Sequence, residues 1–307
     1  MAPEVLDMRE IHGEGHMREG FRTKTFSKPN GMLLGQALAK IKDYEARGIT
    51  MTLRQLYYQL VAGGAITNNL KAYKHLTSLI TDARYAGLVD WDSIEDNLRK
   101  PRLPNTFKDI PDILNATISS YKLDWWKEMK AYVELYTEKD ALSSILGPLA
   151  AKHRIPFQVN RGYASASSMY EASKRFLAKR GKKNLVILYL GDHDPSGLDM
   201  VRDIEERLAE FCVTVEIEHV GLTWKQIERY HLPPNPAKVT DSRAAAYIEE
   251  HGNESWEVDA LPPDVMIEII ERAIQKWEDP QVKARVLRQE RKDIRELELF
   301  RDEKQTP

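Results

Sequence analysis

The chain has 307 residues, 42% of them hydrophobic and 30% charged, the balance of an ordinary soluble protein that can bury two modest cores or one large one. No apolar run approaches the roughly 20 residues that span a bilayer, and the first residues lack the apolar stretch of a signal peptide, so a cytoplasmic protein with no membrane partner is expected. The single cysteine, Cys212, excludes an internal disulfide or a thiolate metal cluster, and a net charge of −2 gives no whole-chain attraction to nucleic acid.

Residues 1–30 mix Glu, Arg, His, Met and Gly without periodicity and read as a mobile arm. His12 and His16 have the spacing to share a metal on a helix, but Gly13 and Gly15 argue against that helix. Three helical patterns follow within residues 31–100. Leu33, Leu34, Ala37, Leu38, Ile41 and Tyr44 form the first stripe. A second helix starts at an N-cap on Thr52, carries Arg54, Tyr57 and Tyr58, and breaks at Gly63 and Gly64. The third is capped near Thr67 or Asn68, buries Leu70, Tyr73, Leu76, Leu79, Ile80 and Ala83, and exposes Lys71, Lys74, His75 and Arg84. Two helices joined by a glycine turn, the second with a basic face, have the outline of a helix-turn-helix or winged-helix DNA-binding unit.

Pro101, Pro104 and Pro111 punctuate a polar stretch over 101–125 that reads as a linker. Strands at 131–136, 156–160, 185–191 and 213–220 then alternate with helices at 139–152, 166–180 and 196–211, which predicts an α/β fold with a mainly parallel sheet covered by helices. Cys212 lies in an apolar strand-like run and is expected to pack. From Lys152 to Lys183 nine basic residues, among them Arg154, Arg161, Lys174 and Arg175, face the single acid Glu171, which suits a polyanionic substrate or a solvated helix face. Residues 264–307 read as charged helices with Val265, Ile267, Ile269, Ile270 and Ala273 packed. No internal repeat and no glycine-rich phosphate loop is present, which argues against ATP or NAD binding by this chain.

The chemistry is expected where the apolar run 185–190 ends in Gly191-Asp192-His193-Asp194-Pro195-Ser196-Gly197. On a strand Asp192 and Asp194 share a face, and two carboxylates at the C-terminal end of a central strand form a hard oxygen site suited to magnesium. Ser196 with Asp199 is expected to start the next helix as a capping box. Glu138 follows the strand at 131–136 and supplies a third acid, and Glu257 with Asp259, predicted to share the face of an edge strand, are candidate additions to the site. His193 falls between the acids, for packing or for a contact to DNA.

A strand, an acid, a helix and a later strand ending in Asp-x-Asp resemble the Toprim domain of topoisomerases, primases and some nucleases. Glu138-Lys139-Asp140-Ala141-Leu142 resembles its first motif and Gly191-Asp192-His193-Asp194 its second. With Asp-x-Asp-Pro-x-Gly and Arg161-Gly162-Tyr163 between the motifs, the chain resembles the A subunit of topoisomerase VI and the related meiotic double-strand-break proteins over roughly residues 33–270. That resemblance implies a winged-helix domain over 31–100, a Toprim domain over 126–263, and magnesium, with manganese able to substitute, held by Glu138, Asp192 and Asp194. Arg54-Gln55-Leu56-Tyr57-Tyr58 matches the family's Arg-x-x-Tyr-Tyr, which implies Tyr58 as the attacking residue, helped by Arg54. It also implies double-stranded DNA as partner, contacts from Lys71, Lys74, His75, Arg84 and Arg161, a homodimer with sites shared between protomers, nucleoid association, and a separate ATPase partner.

Asn160-Arg161-Gly162-Tyr163-Ala164 departs from the family's Gly-x-Gly-Tyr-Pro, and the chain is shorter than a topoisomerase A subunit. It is similar in this to phage and bacterial members of the superfamily, including nuclease subunits of condensin-like plasmid defence systems. Three readings follow: tyrosine transesterification that leaves protein on a DNA end, metal-dependent hydrolysis with no covalent intermediate, or a DNA-binding or assembly protein that keeps the fold as a scaffold.

Overall fold

The computed structural model describes residues 20–95, 104, 106–236 and 244–303, so the His12 and His16 pair lies outside the described residues. Helix α1 (Lys28–Ala46) turns Leu34, Ala37, Leu38, Ile41 and Tyr44 inward, as their spacing predicts. Strand β1 (Met51–Thr52) leads into α2 (Leu53–Ala62), where the Gln55 N–H donates to Thr52 Oγ1 at 3.2 Å and the Thr52 N–H to Gln55 Oε1 at 2.9 Å, a capping box. Helix α3 (Leu70–Tyr85) is capped by Asn69 rather than by Thr67 or Asn68. Strand β2 (Ile94–Glu95) pairs with β1 in parallel, whereas a wing is an antiparallel ribbon; no such ribbon occurs here among the described residues. The end of the expected arm is anchored: Phe26 is buried, and the N–H groups of Phe21 and Arg22 both donate to the Tyr85 carbonyl.

The expected linker contains a helix, α4 (Ile110–Ser120). Asp109 caps it, and Pro111 sits in the first turn, where a missing N–H costs nothing. Beyond it lie four parallel strands: β3 (Ala131–Thr137), β4 (Phe157–Val159), β5 (Asn184–Leu190) and β6 (Glu216–Gly221). Their order is β4-β3-β5-β6. Helix α5 (Ser143–His153) carries the chain from β3 outward to β4, α6 (Ala166–Leu177) returns it to β5, and α7 (Pro195–Glu210) carries it on to β6. Strand alternation sorts the core. Val133, Leu135, Val186, Leu188 and Leu190 face α5 and the helix α10 described below. Tyr136, Ile187 and Tyr189 face Met169 and Phe176 of α6 and Met200 and Ile204 of α7. Full burial of each such side chain is worth about 1.5–3 kcal/mol.

Glu134 shares the second face and is fully buried, yet it is satisfied: Arg175 donates to both its oxygens at 2.8 Å, and the hydroxyls of Tyr132 and Tyr136 donate at 2.6 and 3.0 Å. Cys212 does not pack; it is exposed in the turn after α7, with φ of 59°.

After β6 come α8 (Trp224–Tyr230), strand β7 (Asn235–Pro236), α9 (Ala244–His251) and strand β8 (Glu254–Ser255), with β7 and β8 antiparallel. Helices α10 (Pro263–Gln275) and α11 (Pro280–Glu303) end the described chain. Helix α10 packs Val265, Ile267, Ile269, Ile270 and Ala273 on the core as expected, and Met266 and Ile274, with Ile270, are its most deeply buried apolar side chains. Helix α11 lies along α4; Glu290 anchors it by receiving two hydrogen bonds from Arg154 and one from the Leu123 N–H. One apolar core runs from Leu34 and Leu56 through Leu135 and Leu188 to Ile270.

Candidate functional site

The sheet reverses direction between β3 and β5: from β3 the chain moves to β4 on one side, then back past β3 to β5 and β6 on the other. Such a switch point opens a crevice beyond the strand ends, the usual ligand site of an open α/β sheet. Thr137 pairs with Leu190 in register, so the residues after both strands, Glu138 on one side and Asp192 with Asp194 on the other, meet at that crevice.

The acidic loop is tied down at both ends. Asp194, not Ser196, is the N-cap of α7: its Oδ1 accepts from the Gly197 N–H at 2.7 Å and from the Ser196 hydroxyl at 2.8 Å. The expected box from Ser196 to Asp199 is absent because Pro195 already occupies the first turn, and Asp199 accepts instead from Arg202 and from the Tyr163 hydroxyl. The motif glycine has a steric reason, since a Cβ at Gly197 would stand 2.2 Å from the Asp192 carbonyl oxygen. At the other end His193 exchanges backbone hydrogen bonds with Trp256, at 2.8 and 3.0 Å. The Val258 N–H then donates to Asp192 Oδ1 at 2.8 Å.

That bridge brings Glu257 and Asp259 into the site, although not on a strand: Glu257 precedes a single 3₁₀ turn, Val258–Ala260. Both acids are held by cations. The Lys139 ammonium lies 2.8 Å from Asp192 Oδ1, 2.8 Å from Asp259 Oδ2 and 3.1 Å from Glu257 Oε2. Arg54, on the first turn of α2, hydrogen-bonds Glu257, and its Nε lies 3.9 Å from Asp259. Glu138, Asp192, Asp194, Glu257 and Asp259 thus face two cations, Lys139 and Arg54, a formal surplus of three negative charges.

Burial and the neighbouring charge of Asp192 push the Glu138 carboxyl up to about 8. Burial raises Asp192 as well, against the opposing pull of Lys139 and the Val258 N–H. Burial disfavours the charge on Lys139, but Asp259, Asp192 and Glu257 outweigh it and raise its pKa. Burial works against Glu257 too; Lys139 and Arg54 prevail and hold it below the usual carboxylate range.

Among the described residues no three or more Asp, Glu, His or Cys side chains are arranged as a ready metal cage. The donor set nevertheless fits a hard divalent cation. It is all carboxylate oxygen, it carries excess negative charge, and Asp259 Oδ1 is buried with no hydrogen-bond partner. Lys139 occupies the position among Asp192, Glu257 and Asp259 where positive charge is needed.

Tyr58 lies beside this cluster but faces away from solvent. It is 2% exposed, its hydroxyl accepts from Asn235 Nδ2 at 3.0 Å, and burial followed by the charge of Glu257 pushes it up to about 12. Tyr57 donates to Asn68 Oδ1 at 2.9 Å. His193 is buried among Trp224, Tyr247, His251 and Trp256, and burial lowers it to about 4, so it packs and does not face DNA.

Of the residues assigned to DNA contact, Lys71, Lys74 and His75 are exposed on α3, with His75 Nε2 3.0 Å from Asn30 Oδ1. Arg84 is not available, because its guanidinium binds the carbonyls of Trp91 and Ile94. Arg161 is exposed near the acids and pairs with Asp140 at 3.0 Å. The basic run is largely spent within the fold: Lys152 on Glu271, Arg154 on Glu290, Lys174 on Glu171, Arg175 on Glu134, and Lys183 on the carbonyls of Trp126, Lys127 and Met129.

Sequence reasoning missed Lys139, Asn235 and the Val258 N–H. Only Lys139 carried a signal, as a cation flanked in sequence by Glu138 and Asp140. Comparison with known proteins finds no family model that matches the chain and no similar curated protein or solved structure.

Proposed function

We propose that this chain cleaves DNA phosphodiesters with a divalent cation held by Glu138, Asp192 and Asp194. The observation that carries the reading is that the register of β3 and β5 brings Glu138 to the same switch point as Asp192 and Asp194, in a cluster with more carboxylate than cation charge. The parallel sheet and its helices correspond to the Toprim domain that the two motifs resemble, and α1 to α3 to the DNA-binding part. Magnesium or manganese, when bound, neutralises charge on the phosphate and on the departing oxygen. Asp194 steadies the loop from its capping position, and Lys139 and Arg54 would supply positive charge near a bound phosphodiester. Lys71, Lys74 and Arg161 are exposed for contact with the backbone of double-stranded DNA, and a second copy of the chain would let both strands be cut.

The burial of Tyr58 and its raised pKa support water as the attacking group, which makes hydrolysis the first reading. Tyrosine transesterification is the second: Arg54 lies 5.9 Å from the Tyr58 ring, and its charge and that of Lys139 pull the phenol pKa down. Supercoiled plasmid incubated with manganese separates the readings. Hydrolysis predicts free DNA ends, activity lost in Asp192→Ala and retained in Tyr58→Phe. Protein-linked ends that disappear in Tyr58→Phe would establish the transesterase, and binding without cutting by wild type would leave a DNA-binding or assembly protein.

A further inference from the structure

We infer that Lys139 is a tethered counter-ion that stands in for the metal: its ammonium holds the acidic cluster closed in the metal-free protein and releases Asp192 when a divalent cation enters. The inference rests on the proposed metal role of Glu138, Asp192 and Asp194. An ammonium has three N–H donors, and those of Lys139 are matched by three carboxylates from different segments: Asp192 after β5, and Glu257 and Asp259 around the 3₁₀ turn. None is left over. Lys139 also adjoins Glu138 in sequence, so the tether is one residue from an acid that would hold the metal.

The two cations would compete for the Asp192 carboxylate. Asp192 Oδ1 takes the Lys139 ammonium at 2.8 Å and the Val258 N–H at 2.8 Å, leaving that oxygen little capacity for a metal ion while the lysine stays. The lysine can leave Asp192 without becoming a bare charge, because Glu257 and Asp259 remain its partners. Glu257 in turn is held by Arg54 of α2, so the lysine's resting place belongs to the contact between the N-terminal helices and the sheet. A purely structural ion pair would stabilise both states alike; a stand-in stabilises only the metal-free one and weakens metal binding.

Lys139→Met keeps an unbranched stem, one atom shorter, and removes the competitor. Manganese titration followed by electron paramagnetic resonance, with unfolding midpoints measured with and without the ion, is expected to show manganese bound at least tenfold more tightly than in wild type. It is also expected to show a lower midpoint without metal and a larger rise on adding it. Lys139→Met combined with Asp259→Asn removes one charge of each sign, and serves the same comparison if the single variant fails to fold. Wild type that binds manganese while the variants bind no more tightly overturns the inference alone. Wild type that folds and takes no manganese, like Asp192→Asn, overturns the metal reading beneath it.

Discussion

At Glu138 a proton and a metal ion would compete for the same oxygens. Its carboxyl is pushed up to about 8 from 4.5 by burial and by Asp192, so the folded state binds the proton more tightly than the unfolded chain does. A group raised in this way contributes stability that is complete below about pH 4.5 and is lost as pH rises through about 8. Metal-free protein should therefore lose stability across that window, and the loss should shrink in Glu138→Gln and at saturating manganese; urea unfolding at half-unit pH steps measures it. The carboxylates themselves were legible from Asp-x-Asp after an apolar run and from an acid after the preceding strand, because strand ends place side chains by a fixed rule. The partners of Lys139 were not, since Glu257 and Asp259 lie more than a hundred residues further along the chain.

The loop between β5 and α7 does two jobs with one residue. Asp194 starts the helix through the Gly197 N–H and also faces the acid site, so its two roles can be separated by substitution. Asp194→Asn keeps a capping oxygen and should leave stability within a few tenths of a kcal/mol, while Asp194→Ala should cost about 1 kcal/mol. Both should lower plasmid cleavage, and thermal unfolding in parallel with the cleavage assay tells the roles apart. On the neighbouring strand, Glu134→Gln leaves Arg175 without its charge partner and should cost about 3 kcal/mol by chemical denaturation, at the low end for a broken buried pair because Arg175 is partly exposed. Strand and helix positions in the sheet followed from periodicity, and the buried Val186, Leu188 and Leu190 fall where alternation puts them. The segment 257–259 looked like a strand because its acids alternate; its conformation is set instead by the backbone bridge to His193, a contact that no local pattern encodes.

Across the molecule, the N-terminal helical region and the segments that follow the sheet are joined by more than chain continuity. Arg54 binds Glu257, Asn235 donates to Tyr58, Asn68 donates to the Pro234 carbonyl, and the apolar core runs through both parts. Calorimetry should accordingly show one unfolding transition; two resolved transitions would mean that the N-terminal helices fold independently of the sheet. The proline-punctuated stretch before the sheet was read as a linker because prolines and polar residues dominate it, whereas Asp109 and Pro111 are also a helix start. The lone thiol has a practical consequence. Cys212 is exposed in the turn that leads into β6, at the edge of the sheet opposite the acids, and the six residues of that strand span roughly 20 Å. A fluorophore or spin label can therefore be attached to the native chain at one defined point, far enough from Glu138 and Asp192 to leave them untouched, to report the spacing between two copies or the approach of labelled DNA.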